Sequence, residues 1–225
     1  MDKIQISAFK WVPPAAQGLV RDLRVRWALE EAGLPYEERL IMLGDEQKSE
    51  RYRKLQPFGQ VPALETEGLA IFESGAIVMH IAEQSEKLMP ADPRARARVK
   101  TWMFAALNSV EPPIMMLNFI DFQPEGTRQG AAKLRDSMVQ WIGTRLDNLA
   151  TFLGEREHLV ENRFTAADLL MTSVLRILRT TDLVSTRPSL EAYRLRGEKR
   201  PAFQKALAAQ MAPFAANAPQ NQRAR

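Results

Sequence analysis

The hydrophobic period of this 225-residue chain changes once, at Met89–Pro93 (MPADP), and that change limits the folds open to it. Before it, short alternating or β-branched runs interleave with helical stripes; after it, every apolar pattern is helical. Two prolines within five residues mark a linker. Lys3–Ala8 reads as a strand. Leu19–Ala32 places Leu19, Val20, Leu23, Trp27, Ala28 and Leu29 at helical spacing and stops at Gly33, a C-capping residue. Tyr36–Ile41 reads as a second strand and Ser49–Leu55 as a short exposed helix. Val61–Leu64 and Ala70–Phe72 flank the turn Glu67–Gly68 as a hairpin. Glu73–Glu83 then sets Ala76, Ile77 and Ile81 on one helical face. Residues 1–86 are thus expected to fold as β-α-β-α-β-β-α, with 87–93 as linker.

The remainder predicts an all-helical domain over 94–211, making the fold class α/β plus all-α. Arg94–Asn118 is a long helix bent near Pro112–Pro113, because proline removes a backbone donor and crowds the preceding turn. Gly130–Leu153 carries Leu134, Met138, Trp141, Ile142, Leu146 and Leu149 on one stripe. Ala166–Arg179 is nearly all apolar and therefore central. Shorter helices are expected at Leu190–Arg196 and Pro201–Met211. Residues 212–225, rich in Ala, Pro, Asn and Gln, read as a disordered tail.

The chain has no cysteine and two histidines, His80 and His158. That removes disulfides, thiolate metal sites and cysteine nucleophiles, and disfavours a histidine zinc site. No metal is expected. Net charge is +4, but it is unevenly placed: residues 1–90 hold 11 basic and 14 acidic side chains, residues 91–225 hold 20 and 13. The basic excess is spread as single arginines on helical patterns, without interleaved aromatics, so it reads as solvated helix faces and not a nucleic-acid footprint. The N-terminus shows no basic stretch followed by an apolar core, and no apolar run approaches about 18 residues. The expectation is a cytoplasmic protein without membrane contact.

Two motifs carry chemistry. In Gln56–Leu64 (QPFGQVPAL), Pro62 opens a strand, where its missing donor is tolerated. A cis Val61–Pro62 bond would turn the Val61 N–H and C=O outward, ready to pair with an extended peptide; an ordinary turn proline is the alternative. In Ile71–Ile77 (IFESGAI), Ser74 reads as a helix-start residue whose neighbouring N–H groups can take a carboxylate, while Glu73 can hold an ammonium. An α-amino acid end would satisfy both; simple capping by Ser74 is the alternative.

With VP 12 residues before ES inside this element order, the chain resembles the glutathione S-transferase family. Val25–Tyr36 (VRWALEEAGLPY), Gly59–Leu64 (GQVPAL), Glu73–Ile77 (ESGAI) and Phe164–Leu169 (FTAADL) are similar to its phrases. The last resembles a structural capping box of Thr165 and Asp168. The resemblance covers nearly the whole chain and implies a thioredoxin-like first domain, a helical second domain and a homodimer whose contact uses the first long helix. It implies glutathione as ligand, with Val61 pairing to the cysteinyl part, Pro62 cis, Glu73 and Ser74 on the γ-glutamyl end and Gln60 near the cysteinyl–glycyl part. Arg53 or Lys54 is a candidate for the glycine carboxylate. The thiolate would attack a hydrophobic electrophile, for which Trp11, Phe104, Asn108 and Ser109 are the candidate pocket residues and Met115–Met116 a flexible wall.

The departure from the family is at the reactive centre. Members place a Tyr, Ser or Cys after the first strand or at the start of the first helix. Phe9–Arg26 (FKWVPPAAQGLVRDLRVR) contains none, and the usual Ser/Cys positions fall on Arg21 and Asp22. Ser7 lies earlier, inside the strand. Three readings follow: stabilisation of the thiolate by helix N–H groups or Arg21; a hydrogen bond from Gln17; or a non-catalytic glutathione-binding or protein-interaction module of the same fold.

Overall fold

Four strands form the sheet of the first unit in a computed structural model that describes residues 3–219. The strands are β1 (Ile4–Phe9), β2 (Tyr36–Ile41), β3 (Ala63–Thr66) and β4 (Leu69–Phe72). Their order is β2-β1-β3-β4. β1 runs parallel to β2, with Ile4 opposite Tyr36. The β1–β3 and β3–β4 pairs are antiparallel. A parallel pair needs a crossover, and α1 (Asp22–Ala32) supplies it. α4 (Ser74–Glu83) packs beside α1. Val25, Trp27, Ala28 and Leu29 of α1 are buried together with Ile77, Val78 and Ile81 of α4 and the strand residues Ile6, Ala8 and Leu64. Two short helices, α2 (Asp45–Lys48) and α3 (Glu50–Arg53), lie between β2 and β3. The expected thioredoxin-like element order holds.

The first helix begins at Asp22, three residues later than its apolar spacing predicts. Pro13 and Pro14 fix the chain in a 3₁₀ turn over Pro14–Ala16. Gly18 then adopts φ 73°, a left-handed conformation that interrupts a helix.

The helical unit spans Pro90–Glu198. Asp92 caps α5 (Pro93–Ala105) by accepting the Ala95 N–H at 2.7 Å. A π-helical turn, Ala106–Val110, follows and leads into α6 (Glu111–Asp121). The interruption predicted near Pro112–Pro113 is this wider turn, which places both prolines in the first turn of α6, where backbone donors have no helical acceptor. α7 (Glu125–Gly130) and α8 (Ala132–Leu153) come next. Only part of the predicted α8 stripe is core: Ile142, Leu146 and Leu149 are buried, while Leu134 and Trp141 stay exposed. The apolar face is wider than one contact line, so periodicity alone could not divide it.

α9 (Ala166–Leu175) is central, with Leu169, Leu170, Met171, Val174 and Leu175 inaccessible to solvent. α10 (Pro188–Glu198) crosses it so closely that a Cβ on Gly197 would lie 2.7 Å from the Thr172 side chain. The Thr165–Asp168 capping box is present. Asp168 accepts hydrogen bonds from the N–H groups of Thr165 and Leu159 and from the Tyr193 hydroxyl, each at 2.9 Å. Burial raises its carboxyl above the ordinary range against the pull of these donors and His158.

The last helix, α11 (Pro201–Ala216), corrects the domain boundary expected at 211. Residues 199–219 belong to the same compact unit as the sheet. Phe203 meets Trp27 of α1 edge-on at 4.9 Å. Arg200 binds Glu31 through two hydrogen bonds of 2.5 and 2.8 Å. Lys205 reaches Glu30 at 2.7 Å. Helical spacing announces the apolar face of 201–211 but not which partner covers it. The expected tail at 212–225 is helical as far as Ala216; its last six residues, 220–225, lie outside the described residues.

Candidate active site

Register brings the two sequence motifs together. β3 pairs Ala63 with Phe72, so the residues next in line beyond this pair, Pro62 and Glu73, emerge at the same end of the sheet. The Val61–Pro62 bond is cis. The Val61 side chain points inward, into a buried cluster with Phe9, Val12, Ile41, Tyr52 and Phe214. Its backbone lies beyond the last β3 ladder pair, where an extended ligand could continue the pairing.

A buried hydroxyl pair fixes this turn. Tyr52 donates its phenolic proton to the Gln60 carbonyl at 2.7 Å. Its oxygen lies 2.7 Å from Ser7 Oγ, so the Ser7 hydroxyl supplies the proton of that bond. Ser7 Oγ in turn accepts the Ala63 N–H at 2.7 Å. Both side chains are buried, and burial raises the Tyr52 phenol above its usual pKa, keeping it protonated. Neither hydroxyl is turned to the surface.

Glu73 is the residue preceding α4, with φ 69°, unusual for a residue with a Cβ. Its side chain is exposed and makes no capping bond. Ser74, expected as the cap, is instead the first helical residue. Its Oγ is buried and accepts a hydrogen bond from Arg24 Nη1 at 3.3 Å. Arg24 was not among the sequence candidates: an arginine on a first helix reads as solvated, yet this one is 4% exposed.

The loop after β1 is tied down locally. Lys10 N–H bonds the Ile41 carbonyl at 2.9 Å. The Gln17 amide donates to the Val12 carbonyl at 3.0 Å, which makes it a loop staple. Trp11 is half-buried against the Phe9–Val61 cluster. Arg21 directly precedes α1 and is half-buried. Asp22 is fully buried; its carboxylate accepts from Arg26 Nε at 2.8 Å and Gln210 Nε2 at 2.7 Å. Gln210 also donates to the Val20 carbonyl at 3.0 Å, fastening the entry of α1 to α11. Burial pushes the Asp22 carboxyl up, outweighing Arg26. Burial pulls Arg26 down, but Asp22 and Glu38 overcome it and hold the guanidinium charged. The i, i+4 spacing of Asp22 and Arg26 was the available sequence signal.

Gln60, Arg53 and Lys54 are exposed, and Lys54 pairs with Glu50 at 3.2 Å. Within the helical unit, Phe104 of α5 is exposed, and so are Asn108 and Ser109 on the π-helical turn and Met115 and Met116 on α6.

The family model described as glutathione S-transferase, N-terminal domain, matches residues 16–83. A glutathione S-transferase of Hyoscyamus muticus is 31% identical over 195 residues, covering 82% of this chain and 92% of its own. Glutathione S-transferase 4 of Zea mays is 30% identical over 209 residues, covering 88% and 92%. The crystal structure of glutathione transferase F7 from Populus trichocarpa superposes with a TM-score of 0.78 at 27% identity, covering 92% of this chain and 99% of that one. By sequence and by fold, the chain belongs to the glutathione S-transferase family.

Proposed function

We propose that the chain binds glutathione along Val61–Pro62 and Glu73–Ser74 and promotes attack of its thiolate on a hydrophobic electrophile. The observation that carries this reading is the β3–β4 register, which sets a peptide-pairing backbone beside an anion-binding helix start. The Val61 backbone would pair with the cysteinyl residue. The Ser74 hydroxyl and the first N–H groups of α4 would take the γ-glutamyl carboxylate, and Glu73 its ammonium. Gln60 would meet the cysteinyl–glycyl part, with Arg53 or Lys54 available to the glycine carboxylate.

Transfer needs the thiol proton released to solvent, after which sulfur forms the new bond to carbon while the electrophile's leaving group departs with its bonding pair or a conjugated π pair shifts to the neighbouring atom. With no hydroxyl or thiol in Phe9–Arg26, the stabilising groups are the N–H groups at the start of α1 and the guanidinium of Arg21. Gln17, with its amide directed at Val12, is the lesser candidate. Trp11, Phe104, Asn108 and Ser109 are the residues proposed to meet the electrophile. The protein is proposed to act in the cytoplasm as a homodimer whose contact uses the first long helical segment, α5 and its continuation into α6.

Calorimetric titration with glutathione tests the reading. The parent is expected to bind, and Ser74→Ala to bind more weakly. A parent that takes up no glutathione at millimolar concentration would overturn it.

A further inference from the structure

Ser74 Oγ is approached from inside the protein by a donor that has nothing else to offer it. Arg24 Nη1 lies 3.3 Å away, and a guanidinium carries only N–H donors. The serine oxygen is therefore the acceptor in this bond, and the Ser74 hydroxyl proton must point elsewhere. Both side chains are buried, Arg24 to 4% and Ser74 to 4% exposure, so little freedom remains to reverse the arrangement.

From this geometry we infer that Arg24 is a positioning residue of the carboxylate subsite: it holds Ser74 as a hydrogen-bond donor toward the ligand and selects a carboxylate over a neutral or cationic group there. The inference rests on the glutathione reading above. A serine free to rotate can accept from an ammonium or amide as readily as it donates to a carboxylate. A serine whose oxygen already accepts from Arg24 is biased to donate. The guanidinium also sets a positive charge directly behind the hydroxyl, at the start of a helix whose own dipole has the same sign. α1 and α4 pack together, so the position of Arg24 relative to Ser74 is set by the core of the unit and does not await the ligand. Arg24 acts through Ser74, which is the group in contact.

The test compares glutathione with 4-aminobutyryl-cysteinyl-glycine, which lacks only the α-carboxylate of the γ-glutamyl residue. Arg24→Met and Ser74→Ala are each expected to weaken glutathione binding about tenfold. The double variant is expected to lose no more than either single one, because both remove one unit. Affinity for the decarboxylated analogue is expected to stay at the parent value in all three, and Arg24→Lys to recover most of the glutathione affinity. Parent-like glutathione binding by Arg24→Met would overturn the inference, as would an equal loss for both ligands or additive losses in the double variant. If Arg24→Met does not fold, Arg24→Gln is read against the same two ligands with the same criteria. A parent that binds neither ligand would overturn the glutathione reading itself, whereas a parent that binds both equally would overturn only the carboxylate subsite.

Discussion

Ser7 and Tyr52 meet at 2.7 Å beneath the cis Val61–Pro62 turn, with the tyrosine proton directed to the Gln60 carbonyl. The hydroxyls that flank the reactive loop are thus part of the scaffold. Ser7→Ala is expected to cost about 1–2 kcal/mol in urea denaturation, because the Ala63 N–H and the Tyr52 oxygen each lose a partner. The thiol pKa of bound glutathione should not change. A thiol returned to its free-solution pKa in this variant would make Ser7 the missing activator and refute the assignment.

Phe214 sits in the same buried cluster as Val61 although 153 positions separate them in sequence. Phe214→Ala is expected to lower stability by about 3–5 kcal/mol and to weaken glutathione binding, since the cavity opens against the Val61 side chain. A change below about 1 kcal/mol in the denaturation free energy would show that α11 does not contribute to this core.

Asp22 provides a pH test. Burial raises its folded-state pKa above 3.8, so the folded chain takes up this proton at a higher pH than the unfolded chain does. The associated stabilisation is fully present below the unfolded value and is lost as pH rises through the folded one. Relative to Asp22→Asn, the parent should therefore gain stability as pH falls from neutrality toward about 4. Urea melts across that range check it, and a parent that loses stability relative to the variant would reverse the sign.

Asp168 ties Thr165, Leu159 and Tyr193 to one carboxylate. Asp168→Ala strands buried donors and is expected to cost about 3–5 kcal/mol, read by thermal unfolding. The loss should be structural, with unchanged glutathione affinity in the folded fraction. A variant of parental stability would contradict the role of the box.

The element order was legible because the strands and the two long helices of residues 3–86 announce their period locally, whereas α2, four polar residues with no apolar period, was missed. Thr165 and Asp168 were legible for the same reason, since a capping box is complete within four residues. What escaped the sequence depends on partners far along the chain. Arg24 reads as one more helix arginine until α4 is packed against α1, and Gln210 reads as surface until its helix returns to Asp22. The start of α1 was placed too early because Leu19 and Val20 keep the apolar spacing while Gly18 breaks the backbone. The cis bond at Pro62 follows from the resemblance; composition and spacing leave it open.

The central claim is that a chain without an activating hydroxyl still ionises glutathione. The most direct measurement is the ultraviolet thiolate absorbance of bound glutathione titrated against pH, in the parent and in Arg21→Ala. The account predicts a thiol that ionises at lower pH on the protein than in free solution, with part of that shift lost in Arg21→Ala. A bound thiol that titrates as it does in free solution would contradict it and leave a module that binds glutathione without activating it.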